Sequence, residues 1–177
     1  QVDLDIHWRL ANAPVFATVF SFEELQAASI ALPALDPTAR GLGPVHAFIH
    51  ACLHRAINVY TGIGDRLKWL YDLHLLAGRF GANAWKALGD LCTQRRVSGV
   101  CAEGIEAAAS LFGTVVPQAV LDRLDAARGN DLLDARRLQE WRYMQWRNLA
   151  ALPSWSARLR WLWQSLSPPT GYLQELY

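Results

Sequence analysis

The chain lacks a paired set of cysteines, a long apolar run and an excess of charge of either sign, and each lack excludes something. Its three cysteines, Cys52, Cys92 and Cys101, are well separated and form no C-x-x-C pair. An odd set so spaced disfavours a disulfide framework and a cysteine-built zinc site, and points to a reducing, cytoplasmic setting. Apolar runs are interrupted by charge or glycine within about ten residues, short of the roughly 20 that a membrane-spanning helix requires. Seventeen basic against sixteen acidic residues leave a formal net charge of +1, so bulk charge predicts neither nucleic-acid nor membrane binding. The opening Gln1-Val2-Asp3 has no start methionine, basic stretch or apolar signal region. It reads as a cut through a longer protein, with any targeting signal upstream.

What is present is apolar material: 52% of the 177 residues are hydrophobic and only 19% charged, enough for one packed core and against disorder. Val2, Leu4, Ile6 and Trp8 alternate with Asp3, Asp5, His7 and Arg9, the period-2 signature of a strand with one apolar and one charged face. It is the one convincing strand. A single strand needs partners for its ladder groups, so these are expected upstream or from another chain. Ser21-x-x-Glu24 reads as a capping box, with Phe20 and Leu25 as its staple, opening a helix over about 21–31. Pro33, Asp36-Pro37 and Gly41-x-Gly43-Pro44 mark a loop, and Pro44 suits the first turn of a helix to about residue 60.

Gly62 and Gly64 break that helix. Asp65 is placed to cap the next, whose stripe of Leu67, Trp69, Leu70, Leu73 and Leu76 runs to about Arg79. Helices are expected near 84–96 and 99–112, another from Pro117, a long one over about 131–151 and a shorter one over 155–166. The fold class is therefore mainly α: a helical array with one N-terminal β-strand. Three regions follow: 1–20 with the acidic strand, 21–152 as the helical domain, and 153–177 as a Trp/Arg-rich helix and tail.

The stretch Val2-Asp3-Leu4-Asp5-Ile6-His7-Trp8-Arg9-Leu10, then Cys52-Leu53-His54, then Arg66-Leu67-Lys68-Trp69-Leu70-Tyr71-Asp72-Leu73, with Leu166-Ser167-Pro168-Pro169-Thr170-Gly171-Tyr172-Leu173 near the end, resembles a bacterial family of largely uncharacterised nucleotidyltransferases in the DNA-polymerase-β-like superfamily. The resemblance implies a small mixed sheet carrying a Gly-Ser turn, a paired-carboxylate strand and a third acidic strand, followed by helices. On that alignment the chain starts at the third acidic strand, as the C-terminal portion of its parent. The expected activity is transfer of a nucleoside monophosphate from a nucleoside triphosphate to an unidentified acceptor with Mg²⁺, residing in the full-length parent and absent from this piece alone.

Hard Mg²⁺ needs carboxylate oxygens on a rigid element to neutralise charge on the phosphate. The resemblance makes Asp5 the candidate third carboxylate, with Asp3 as a further metal ligand and His7 on the same face. From the strand pattern alone, the three read first as the solvated face of an edge strand, and it is the resemblance that favours the metal role. By the same resemblance, His54 faces a nucleotide cleft, Arg66 or Lys68 attracts the triphosphate, and Asp72 orients one of them. Lys68 and Asp72, spaced i, i+4, also fit a plain surface pair, and Trp69 between them reads as core. His46, His50 and His54 share a helix face at i, i+4 and i+8, a geometry that can bind a transition metal. The apolar Phe48, Ile49, Cys52 and Leu53 around them favour core or capping histidines instead.

Five of the eight tryptophans, Trp141, Trp146, Trp155, Trp161 and Trp163, lie in the last 40 residues among Arg136, Arg137, Arg142, Arg147, Arg158 and Arg160. Trp155, Leu159, Leu162 and Leu166 form one stripe, which suits docking on the protein's own body first, a membrane surface or protein partner second, and nucleic acid least. The competing function is a non-catalytic helical interaction module. A weaker one is a ribonuclease reading of Arg40-x-x-x-x-x-His46.

Overall fold

The computed structural model describes residues 11–166, so the expected strand with Asp3, Asp5 and His7, and the tail after Leu166, lie outside the described residues. Within them the chain is mainly helical. A 3₁₀ turn at Pro14–Phe16 leads to α1 (Phe22–Ala27), a two-stranded hairpin, β1 (Ile30–Ala31) with β2 (Arg40–Gly41), and then α2 (Pro44–Tyr60), α3 (Leu67–Ala77), α4 (Ala82–Arg95), α5 (Ser98–Phe112), α6 (Gln118–Ala127), α7 (Trp141–Ala151) and α8 (Trp155–Leu166).

The core forms where α5 packs against α2, α3, α4 and α6. α5 can sit at the centre because its sequence is rich in small residues. A Cβ on Gly104 would lie 3.1 Å from Cys52 Sγ and 3.3 Å from Leu73 Cδ1, so the bare backbone sets how closely α5 approaches α2 and α3. Around that crossing Phe48, Ile49, Leu53, Leu73, Leu88, Ile105 and Leu124 are fully buried. Cys52, Cys92 and Cys101 are all free and buried there. Contact with the Cys52 and Cys92 thiols, together with burial, pushes the Cys101 thiol well above the ordinary cysteine range, so it stays protonated and behaves as a small apolar side chain.

Local signals place most helix starts. Pro44 occupies the first turn of α2 and Pro117 caps α6. Ser21 Oγ accepts from the Glu24 N–H at 3.2 Å, but among the described residues the Glu24 carboxylate does not return to the Ser21 N–H. The Glu24 carboxylate instead accepts from Arg95 at 2.7 Å and meets His46 Nε2 at 3.4 Å, because an ionic partner on α4 competes for it.

Several expectations need correction. The helix expected over 21–31 stops at Ala27, and the chain turns into the antiparallel hairpin, with Ile30 opposite Gly41 and Ala31 opposite Arg40. Pro33 disfavours helix just before it, and Arg40 clamps the turn by donating to Ser29 Oγ and Ser29 O, both at 2.7 Å. Asp65 does not cap α3, whose N-cap is Arg66; both of its carboxylate oxygens accept from Arg55 at 2.6 Å.

The helix expected over 131–151 is broken into a 3₁₀ turn at Ala135–Arg137 and α7. Its first residues serve other elements. Asp131 accepts from the Ser98 and Gly99 N–H groups and so caps α5 from 33 residues away, the Leu132 N–H donates to Arg96 O at 2.8 Å, and Asp134 caps the 3₁₀ turn. α7 returns to the start of the described chain: buried Asn148 accepts the Val15 N–H at 3.2 Å through Oδ1. Gln145 Nε2 donates to Tyr60 Oη at the end of α2, at 2.7 Å.

Candidate functional site

α2 and α3 lie side by side, and their facing polar residues enclose a pocket of about 300 Å³ lined by His50, Ala51, His54, Lys68, Trp69 and Asp72. Helical spacing makes this possible: His50 and His54 are one turn apart on α2, as are Lys68 and Asp72 on α3, so each pair projects from one face. Ala51 leaves the gap between the helices open. The volume is at the small end of the range of ligand pockets, roughly 300–1,000 Å³.

Trp69 organises the pocket. It is 8% exposed, yet it is absent from the contiguous apolar core around Leu73 and Ile105. The His54 ring meets it edge-on at 5.4 Å between centroids, with an interplanar angle of 82°. The Arg66 guanidinium lies 5.5 Å and the Lys68 ammonium 5.9 Å from the Trp69 ring centroid, within the ~6 Å reach of a cation–π contact. Reading Trp69 as core alone therefore missed half its role: it is also a wall. A large aromatic between Arg66, Lys68 and Asp72 was the available signal.

The electrostatics centre on His54. The residue is exposed overall, yet partial burial of the ring, reinforced by the Lys68 charge and opposed by Asp72, lowers its pKa below the ordinary value of 6.5. The imidazole is neutral at pH 7 and can accept a hydrogen bond or a proton. Its ring centroid is 6.3 Å from that of His50.

Four of the sequence-selected residues, His50, His54, Lys68 and Asp72, therefore meet in one place, with Arg66 adjoining through Trp69. Asp3, Asp5 and His7 lie outside the described residues. The expected pairing along α3 is not made: among the described residues no ion pair within 4.0 Å joins Asp72 to Lys68 or Arg66, both of which lie over Trp69. The histidine row is also divided. His46 is held by Glu24 and packs edge-on against Phe20 at 5.0 Å, away from the other two. Among the described residues no group of three His, Cys, Asp or Glu side chains is arranged to hold a metal.

The C-terminal stripe differs from the expected docking on the protein's own body. Trp155, Leu159 and Leu162 are exposed, at 75%, 65% and 40%. The Leu166 side chain lies outside the description. α8 leans on α7 through Arg158, which donates to Ala150 O and Leu152 O at 3.3 Å and stacks 5.0 Å from the Trp155 centroid. No helix among the described residues is long and apolar enough to cross a membrane.

A helical body with an aromatic-floored polar pocket between its second and third helices is thus the class that fold and site define. The family model described as uncharacterised nucleotidyltransferase matches residues 1–113, a span that holds both pocket helices and ends just past α5. The chain belongs to that family. No curated protein and no solved structure matches it.

Proposed function

We propose that the pocket between α2 and α3 binds the nucleoside triphosphate in a nucleotidyl transfer reaction, in which a nucleoside monophosphate passes to an acceptor that the pocket does not identify. The observation that carries this reading is the convergence of His54, Lys68 and Asp72 around Trp69, inside the segment matched by the family. Lys68 supplies positive charge for the polyphosphate, and Arg66 adds to it from the same edge. Neutral His54 accepts a hydrogen bond from the nucleotide or the acceptor, and Asp72 offsets part of the cationic field. The pocket's own donors, two imidazoles, one ammonium and one carboxylate, do not suit Mg²⁺, which prefers several oxygen ligands. The reading therefore gives the metal to Asp5 and Asp3.

Incubation of the full-length parent with each labelled nucleoside triphosphate and Mg²⁺, beside Lys68→Gln and Asp5→Asn variants of it, tests the proposal. Label transfer that falls about tenfold or more in Lys68→Gln, the loss of roughly 1.4 kcal/mol of binding, supports it. Transfer unchanged in Lys68→Gln removes the pocket from the reaction, and unchanged transfer in Asp5→Asn removes that carboxylate.

A second reading, a non-catalytic interaction module, is favoured by one observation: the exposed Trp155, Leu159 and Trp163 on α8, flanked by Arg158 and Arg160, form a surface suited to a protein partner or a membrane. Nucleotide titration separates the two. Absence of any Mg²⁺-dependent triphosphate binding favours the module.

A further inference from the structure

An amphipathic helix on a folded protein ordinarily turns its apolar side to the core, and α8 does the reverse. At about 100° per residue, Trp155, Leu159, Leu162 and Trp163 fall together on one side of the helix, and all four are exposed. Partial burial falls instead on Ala157, Arg158 and Trp161, round the other side. Local bonds set this pose. Ser154 Oγ accepts the Ala157 N–H at 3.1 Å and so caps the helix, while Arg158 ties it to the end of α7 through Ala150 O and Leu152 O.

The charge around this apolar side is of one sign. Residues 141–166 carry four of the seventeen basic residues, Arg142, Arg147, Arg158 and Arg160, and none of the sixteen acids. By that formal count the segment is +4 and the rest of the chain −3, a separation hidden in the total of +1. The acid next to it in sequence, Glu140, is already held by Arg137 at 2.9 and 2.6 Å. On α8 itself Arg158 and Arg160 fall at the two borders of the apolar side, where an arginine can lay its stem along an apolar phase and keep its head in a polar one. The partners of Arg158 are backbone carbonyls, which leave its charge uncompensated by any acid.

These features discriminate between occupants. A second copy of α8 would bring arginine borders against arginine borders, with no acid on either helix to pair them. A bilayer with anionic headgroups offers both complements at once: apolar depth for the stripe and negative charge along both borders. Tryptophan suits the same boundary, because its indole has an apolar body and a polar N–H, and Trp141 and Trp146 of α7 are exposed as well. The twelve residues of α8 extend about 18 Å, well short of the ~30 Å hydrocarbon core, so the helix would lie along the surface.

We propose that α8 docks on an anionic lipid bilayer, with Trp155, Leu159, Leu162 and Trp163 entering the headgroup boundary and Arg158 and Arg160 meeting the headgroups. The proposal rests on the surface that carries the interaction-module reading and names its partner. It holds with or without nucleotide transfer.

Co-sedimentation of the full chain tests it, with vesicles of phosphatidylcholine alone and of phosphatidylcholine with about one-third phosphatidylserine. The variants are the double substitution Trp155→Ser with Leu159→Ser, Arg160→Gln, and Arg79→Gln, which removes an exposed charge between α3 and α4. Each is checked for unchanged helical circular dichroism. Saturable binding to the anionic vesicles is expected, at least about tenfold weaker on phosphatidylcholine alone and weakened by added salt. The double variant should lose about tenfold or more, Arg160→Gln about fivefold, and Arg79→Gln nothing measurable. Five results overturn the proposal: no saturable binding, equal binding to both vesicles, binding indifferent to the double variant, equal losses in Arg160→Gln and Arg79→Gln, or lipid-free self-association that the double variant abolishes, which gives the face to a second copy. Because nucleotide titration alone decides the module reading, failure with vesicles removes the lipid partner and leaves that reading to its own test.

Discussion

The α2–α3 pocket and a second polar hollow, an arginine cleft lined by Arg55, Asp65 and Arg136 with Arg128 and Arg147 beyond, are separated by a single step along one helix. His54 lines the first and Arg55 the second, because consecutive residues of an α-helix point about 100° apart. The two places handle charge differently. In the pocket the cations lie on an aromatic ring, and the one carboxylate, Asp72, has no ion-pair partner among the described residues. In the cleft carboxylates and guanidinium groups are interleaved, with Arg128 holding Asp125 and Glu106 and Arg55 holding Asp65. The pocket is built wholly from the family-matched segment, whereas the cleft needs residues 125–147, which fold back onto the ends of α2 and α5. One polar surface thus belongs to the shared family body, and the other arises where later sequence closes over it.

The largest expected effect breaks both places together. Leu73→Ala removes a fully buried side chain at the α3–α5 contact and should destabilise the protein by about 2–5 kcal/mol, read as a lower midpoint in urea. Arg55→Met should cost about 1.5–3 kcal/mol, the usual range for hydrogen bonds to a charged group, at the lower end because Asp65 can regain water. It should leave the His54 titration unchanged, and a moved His54 pKa would show that the two cavities are coupled.

Smaller effects sharpen the comparison within the pocket. By NMR titration of the His54 ring, Lys68→Gln should raise its pKa, since Lys68 lowers it, and Asp72→Asn should lower it further. Shifts of the same sign in both variants would contradict the arrangement. The smallest effect is on stability against pH. The folded His54 resists protonation more than the unfolded chain does, so its contribution is full at neutral pH and declines as pH falls below about 6.5 towards the lowered folded value. Removing the ring with His54→Gln should flatten that part of the stability profile.

Much of the fold was legible where the signal is local. Pro44 and Pro117 open helices, the Leu67–Leu76 stripe marks α3, and i, i+4 spacing alone sets His50 beside His54 and Lys68 beside Asp72. What escaped depends on partners distant in sequence. Nothing near Asp131 announces that it caps α5, and nothing near Asp65 says that Arg55 will take it from the role of helix cap. The hairpin at Ile30–Ala31 and Arg40–Gly41 hid for a similar reason: its strands are two residues long, too short for alternation to show. The arginine cleft was visible only as a basic, aromatic-rich stretch, because which acids its arginines meet is decided by folding: Arg55 with Asp65, and Arg128 with Glu106.

The hydrogen bond from Val15 to Asn148 spans 133 positions, and with Gln145 on Tyr60 it makes α7 a clasp across the body. In kinetic terms such a contact closes a long loop, so its entropic cost falls late, after the local helix pairs have formed. During synthesis the α2–α3 pocket can assemble while α7 is still to be made; the arginine cleft cannot. The clasp therefore imposes an order of completion, in which the family body matures first and the second cavity is the final part to take shape.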